Sequence, residues 1–501
     1  MVPNYMHEKI KNFGQLKQSG WKSRSIKEEL RNNLMEKIQK GEQLFPGILG
    51  YDKTVLPQIQ HAILAKHDMI LLGLRGQAKT RILRMLVHLL DEYMPVVEGS
   101  EINDDPLQPI SRYGKELIAK HGDNTPITWL HRDFRYGEKL ATPDTTVSDL
   151  IGDIDPIKAA SLKLSLASEE VINYGLIPRT NRGIFVINEL PDLQPRIQVA
   201  LLNIMQERDI QIRGFNIRIP VDLFMAFSAN PEDYTNRGNI ITPLKDRIDA
   251  QIITHYPKEM DIAMKITEQE AWVDRDANST IHIPKIYREI LENVAFEARD
   301  SEYIDQKSGV STRMTITAME QVLSSAERRS ILNGDKNTTL RITDLYAMVP
   351  ALTGKLELVY EGEQEGAVNV AKHIIGKAIK QTFRKTFPDP QKRINEDEEN
   401  PYQKVIDWFA AGNRLEMHEL QSDNDYKKGL DGVEGLSEIV KNQISDKLEA
   451  KDLYALMGLL IEALHQNSKI GKDDLDETTS YTDMLGSMLG GMSEFDDEEY
   501  L

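Results

Sequence analysis

Residues 67–90 read HDMILLGLRGQAKTRILRMLVHLL: a short apolar run, a glycine-containing loop, Lys79-Thr80, then an amphipathic helix. A loop of this kind turns successive backbone N–H groups toward phosphate oxygens at a helix N-terminus. It supplies a lysine for the β/γ-phosphates and offers a hydroxyl to magnesium. The residues placed to do so are Gly73, Gly76, Gln77, Ala78, Lys79, Thr80 and Arg81, with Thr80 also facing the metal. The usual pattern has glycine immediately before the lysine, and here Ala78 takes that place. Its methyl costs about 1–2 kcal/mol if the backbone is left-handed there and little otherwise. An ordinary strand-to-helix turn is the competing reading, so the rest of the chain must decide.

Two further strands decide for the nucleotide. In GIFVINELPDL the apolar run Gly183 to Ile187 ends in Asn188-Glu189, the point where a P-loop ATPase carries Asp-Glu. There the aspartate holds a magnesium-bound water, and the glutamate orients or deprotonates the attacking water. Asn188 keeps an oxygen for that shell but loses the charge. A charge-assisted bond of about 1.5–3 kcal/mol becomes a neutral one of about 0.5–1.5 kcal/mol. If that difference is felt wholly in the transition state, the loss is roughly ten- to thirtyfold in rate. In LFMAFSANP a third strand sets Asn230 at its carboxyl end, where open parallel sheets collect ligands and a polar side chain can position the water. Phosphate loop, strand-Glu and strand-Asn in this order imply ATP and Mg2+ as cofactors, with Thr80 and Asn188 on the metal directly or through water.

Composition narrows the partners. The 61 basic and 79 acidic residues leave a net charge of −18, which argues against a surface built to hold nucleic acid. The chain has no cysteine, which removes disulfides, thiolate metal sites and Cys nucleophiles, and its histidines are scattered without metal-ligand spacing. The amino-terminal residues lack an apolar signal region, and the longest apolar run, Met69 to Leu74, is too short for a bilayer. A soluble cytoplasmic protein with no membrane span is the expectation.

At this point the chain resembles an AAA+ ATPase of the magnesium-chelatase and MoxR-like group, over residues Phe45 to about Leu332. The segment FPGILGYDKTVLPQIQHAIL is similar to the one these proteins lay against the adenine. DLIGDIDPIKAASLKLSLASEEVINYGLIPRTNRGIF is similar to their helical insertion ahead of the second strand motif, and ERDIQIRGFNIRIP reads as the β-hairpin they aim at a central pore. The resemblance implies that Arg247, in TPLKDRID, reaches the γ-phosphate of a neighbouring subunit. It likewise implies that Arg313, in SGVSTRMTITAMEQV, is a sensor arginine. Surface ion pairing is the bland alternative for both. An arginine acting in trans requires a ring, and the resemblance implies a hexamer.

The fold class is therefore α/β, a P-loop AAA+ parallel-sheet core followed by a helical lid domain and further C-terminal helices. The divisions are an N-terminal helical segment over 1–45, the core over 46–257 and the lid over 258–387. An acidic linker over 388–401, a C-terminal helical segment over 402–466 and an acidic tail over 467–501, expected to be disordered, complete the chain. Relatives in the group act as chaperone-like ATPases with a von Willebrand factor A partner, so remodelling or maturation of a protein client is the leading function. A hydrolysis-deficient scaffold switched by nucleotide is the alternative, because of Asn188. A DNA motor, with only Arg213 and Arg218 on the hairpin, and a metal-chelatase motor rank lower. Arg247, Arg313, Glu189 and Asn230 are the candidate catalytic residues.

Overall fold

The computed structural model describes residue 7 and residues 9–166, 168–212, 218–230, 238–275, 280–391, 400–443, 452–475 and 478–484. The chain divides after His255 into two compact units.

The first unit is organised by a five-stranded sheet of β1 (Met69–Leu72), β2 (Tyr136–Leu140), β3 (Gly183–Asn188), β4 (Leu223–Ala229) and β5 (Ala250–Ile253), in the order β5-β1-β4-β3-β2. Every neighbouring pair is parallel. β3 and β4 read as unbroken apolar runs because both faces are covered. Leu71, Val186 and Ala226 enter one core, and Ile70, Ile187 and Phe227 enter the other. The apolar run is a strand only from Met69, and ahead of it the Asp68 carboxylate accepts the Met225 N–H at 2.9 Å.

The N-terminal helix belongs to this unit. α1 (Ile26–Gln39) starts at a capping box formed by Ser25 and Glu28. The positive φ of Gly41 (68°) follows its last turn. Ile26, Leu30 and Leu34 are buried in the same core as β1, worth about 1.5–3 kcal/mol each. Helical spacing predicts Ile38 on the same face as Ile26, Leu30 and Leu34, but it is 44 % exposed. A bidentate pair fixes the docking: Arg135 donates to both Glu29 oxygens at 2.7 Å.

The insertion after β2 is less helical than expected. Strands Gly152–Ile154 and Ile172–Tyr174 pair antiparallel, and the helix Pro156–Leu162 lies between them. The expected β-hairpin has arms Asp209–Gln211 and Arg218–Pro220 with Ile210 opposite Ile219. Arg213, Gly214 and Ile217 lie outside the described residues.

In the second unit the helices α4 (Lys285–Asp300), α5 (Arg313–Asn333), α6 (Ala367–Thr386) and α7 (Leu453–Gln466) share one core, so the segment expected as a separate C-terminal piece packs with the lid helices. Tyr287 of α4 donates to the Ala455 carbonyl of α7 at 2.8 Å. Apolar spacing over 342–360 predicts a single helix, but the segment is broken. A 3₁₀ turn over Thr343–Met348 gives way to a short helix at Val349–Thr353, with Pro350 in its first turn and Gly354 at its end. The lid, expected to be helical, also holds strands, since Thr280–His282 pairs with Asn337–Thr339.

The acidic tail, expected to be disordered from 467, is ordered at its start. β6 (Leu415–His418), β7 (Gly471–Leu475) and β8 (Thr478–Thr482) form an antiparallel sheet in the order β6-β8-β7. The anchor is Glu462 of α7, which is fully buried and takes Lys472 at 3.2 Å and the Tyr481 hydroxyl. Burial pushes its carboxyl up, but the Lys472 charge and the hydrogen bonds outweigh that and hold it at about 2. Residues 392–399 of the expected linker and 485–501 of the tail, with Leu485, Met488 and Met492, lie outside the described residues. No described helix is long and apolar enough to cross a membrane.

One buried acid makes a test of the second unit. Burial pushes the Glu292 carboxyl up to about 7 from 4.5, against the Thr267 hydroxyl and the Arg299 charge, which lower it. Folding then favours the protonated acid, so its contribution is full below about pH 4.5 and is lost as pH rises through 7. Glu292→Gln should match wild type at acid pH and exceed it above neutrality by at most about 3 kcal/mol. Urea unfolding at about pH 5 and about pH 8 checks this, and a pH-independent difference would refute it.

Candidate nucleotide site

The phosphate loop is tied to both strands that flank β1. Gly73 donates its N–H to the Ala229 carbonyl of β4 at 3.1 Å, and Thr254, following β5, donates to Leu72 at 2.8 Å. The Thr254 hydroxyl also donates to Gln77 Oε1 at 2.5 Å. Glycine at 73 is a packing requirement, because a Cβ there would sit 1.9 Å from Thr254 Oγ1 and 2.2 Å from Gln77 Oε1. From the preceding segment, Tyr51 donates its hydroxyl to the Gln77 carbonyl at 3.1 Å and to the His255 carbonyl at 2.7 Å.

Gly76 has φ 76°, and Ala78 has φ 56° and ψ 15° at the start of α3 (Lys79–Met85). The left-handed condition is met, so Ala78 carries the strain that glycine would avoid. Lys79 is only 8 % exposed, and its ammonium donates to the carbonyls of Gly73 and, at 2.9 Å, Leu74. Thr80 lies on the sheet side of α3, and Arg81 is exposed.

Asn188, 5 % exposed, ends β3 beside the loop. Its Oδ1 accepts from Ser228 at 2.8 Å and, weakly, from Thr80 at 3.5 Å, while its Nδ2 donates to Glu138 Oε1 at 2.6 Å. Glu189 follows at φ 53° and ψ 51°, a second non-glycine residue held left-handed at the carboxyl edge of the sheet. Asn230 directly follows Ala229, whose carbonyl takes Gly73.

Among the described residues, neither arginine is bonded to this group. Arg247 ends the helix Thr242–Arg247 and is bonded to Gln206 at 3.0 Å and the Pro243 carbonyl at 3.1 Å. None of these is a phosphate-loop residue. Arg313 is the first residue of α5, in the second unit, with its side chain exposed.

Sequence reasoning missed Glu138, Ser228 and Thr254. No local signal marked Glu138, because YGEKL is an edge strand whose charges interrupt any apolar run. The Glu138 carboxylate also pairs with Arg84 of α3, Nε to Oε2 at 2.8 Å. The oxygens of Thr80 and Asn188, backed by Glu138, form the hard, all-oxygen set that suits a hydrated Mg2+. Among the described residues, no group of three or more His, Cys, Asp or Glu side chains clusters to hold a metal.

The strand order β5-β1-β4-β3-β2, with a glycine-containing loop after β1 and polar residues ending β3 and β4, is that of an α/β P-loop core of AAA+ type. No protein-family profile matches the chain. Its sequence is similar to the magnesium-chelatase 38 kDa subunit of Rhodobacter capsulatus, 24% identical over 235 residues, covering 46% of this chain and 61% of that protein. The same subunit of Cereibacter sphaeroides is 25% identical over 214 residues, covering 42% and 58%. The chain thus spans about three-fifths of the length of these relatives. The match supports the resemblance to a magnesium-chelatase subunit over this part of the chain. Among solved structures, a cryo-EM-based complex of magnesium-chelatase subunits BchI and BchD is 19% identical with a TM-score of 0.34, covering 64% of this chain and 98% of that one. NtrX from Brucella abortus in complex with ATP is 13% identical with a TM-score of 0.37, covering 70% and 68%. At these scores the fold rests on the strand order, not on the overlays.

Opposite outcomes are expected at the two ends of the loop. Gly73→Ala should destabilise the chain by about 1–3 kcal/mol and weaken ATP binding, since the new methyl displaces Thr254 or Gln77. Ala78→Gly removes about 1–2 kcal/mol of strain against about 0.4–1 kcal/mol of added chain entropy, for a net gain of about 1 kcal/mol or less. Thermal unfolding of both variants beside wild type checks the pair.

Proposed function

We propose that the chain binds ATP with magnesium, hydrolyses it slowly, and works as a cytoplasmic ring, taken as hexameric, that remodels or matures a protein client with a von Willebrand factor A partner. The observation that carries the nucleotide reading is the loop from Gly73 to Thr80, anchored on both neighbouring strands, with Glu189 and Asn230 at the ends of β3 and β4. In this reading the loop amides and the start of α3 hold the phosphates, and the ammonium of Lys79, now shared between two loop carbonyls, meets the β/γ-phosphates. Glu189 takes the proton of the attacking water while Asn230 holds that water in line. Arg247, with no partner from its own phosphate loop, serves a neighbouring subunit, and Arg313 is the sensor arginine of the second unit. Thr80 and Asn188 hold Mg2+, which when bound neutralises phosphate charge.

The client and partner rest on the resemblance alone, and the named relatives keep a metal-chelatase motor as the second client class. The scaffold reading draws on Asn188, whose amide replaces the usual carboxylate.

Steady-state phosphate release with ATP and magnesium, run beside Glu189→Gln at ring-forming concentration, separates motor from scaffold. A motor loses at least about a hundredfold in turnover in that variant and keeps ATP binding. A scaffold shows no turnover in either protein. Lys79→Ala should lose ATP affinity, and an unchanged affinity would overturn the phosphate loop.

A further inference from the structure

We infer that the carboxylate missing at position 188 has moved to Glu138 on the neighbouring strand and acts on the magnesium site through the Asn188 amide, so that Glu138 and Asn188 are an exchanged pair. The inference rests on the nucleotide reading of this site. A carboxylate can only accept hydrogen bonds, so the 2.6 Å contact to Glu138 Oε1 fixes which end of the Asn188 amide points where. Nδ2 faces Glu138, and Oδ1 is left for Ser228 at 2.8 Å and Thr80 at 3.5 Å. Ser228 alone would not settle the orientation, because a hydroxyl donates or accepts equally well. With its proton turned to Oδ1, Thr80 keeps its lone pairs for a magnesium ion that it would help to hold. The charge of Glu138 also polarises the amide from behind, which makes Oδ1 a stronger acceptor than an isolated amide oxygen.

Glu138 is held for this role. β2 and β3 are in parallel register with Leu140 opposite Asn188 and Glu138 opposite Val186, so both side chains stand on the α3 face of the sheet. Arg84, one turn beyond Thr80 on α3, donates to Glu138 through Nε at 2.8 Å and Nη2 at 3.1 Å, and Tyr136 donates at 3.3 Å. Glu138 is bonded to Asn188, Arg84 and Tyr136. It is a positioning residue, acting through Asn188.

The consequence runs against the family pattern. Asn188→Asp, which restores the usual residue, sets two carboxylates within hydrogen-bond distance with no proton between them, and should do harm. Adding Glu138→Gln repairs it, because the amide introduced on β2 then donates to the carboxylate introduced on β3, and the same hydrogen bond forms with its ends exchanged.

The test uses the full chain as wild type, Asn188→Asp, Glu138→Gln and the double variant. ATP affinity is measured by fluorescent-analogue displacement in EDTA and in magnesium, beside thermal unfolding without nucleotide. The tightening of ATP that magnesium confers should fall at least about tenfold in Asn188→Asp, fall in Glu138→Gln, and return to within about threefold of wild type in the double variant. The melting temperature of Asn188→Asp should lie below that of the double variant. A purely structural pair would move the melting temperature and leave the magnesium-dependent tightening alone, which overturns the inference. Asn188→Asp binding magnesium-ATP as tightly as wild type, or single effects that simply add, also overturns it. If wild type fails to bind ATP even in EDTA, the nucleotide reading itself falls.

Discussion

Two hydrogen bonds just past the end of β1, Gly73 to Ala229 and Thr254 to Leu72, carry the parallel ladder into the phosphate loop and hold the loop to β4 and β5 at once. The loop thereby inherits the rigidity of the sheet, whose central strands are buried on both faces. The same two bonds explain the crowding at Gly73, since the closeness of Thr254 that makes the bonds leaves no room for a side chain. Placement of Asn230 follows as well, because the carbonyl that anchors Gly73 belongs to the residue before it.

Held this firmly, the edge can sustain strain. Ala78 and Glu189 are both left-handed without being glycine, and they lie at the residue before the lysine and at the residue that follows β3. Each conformation costs about 1–2 kcal/mol. Such residues persist where surrounding bonds over-determine the backbone. Glu189 meets this condition through the turn in which Asp192 donates to its carbonyl at 2.9 Å, which lifts the residue off the strand direction at the sheet edge.

How much of this was legible in the sequence depended on burial. β3 and β4 read as strands because nothing polar interrupts their buried runs, and the three motifs fell on their ends and on that of β1. β2 was invisible: YGEKL carries two charges, and Leu140 is 57 % exposed at the sheet edge, so neither hydrophobic continuity nor alternation marks it. Missing the strand meant missing Glu138. The tail failed for a related reason. Composition counts the acids of this stretch as solvated, whereas the order of β7 and β8 comes from Glu462 of α7, whose pairing with Lys472 and Tyr481 composition does not report. Likewise Tyr287 and Ala455 meet across a separation that periodicity cannot report.

Asn188 joins more than the proposed magnesium site. Its side chain spans Glu138, Ser228 and Thr80, while its carbonyl accepts the Ala141 N–H at 2.8 Å, where the chain leaves β2 toward the insertion. Thr80 and Arg84 lie four residues apart on one face of α3, so both ends of the Asn188–Glu138 pair are also tied to the helix that begins at the phosphate loop. A carboxylate at 188 would bring its charge to the site without needing β2. With the charge on β2 instead, the geometry at Thr80 depends on the position of the edge strand, and through Ala141 on the root of the insertion. The exchange thus turns a local ligand set into one that spans three elements of the fold, so a shift of β2 relative to β3 changes what Thr80 can hold.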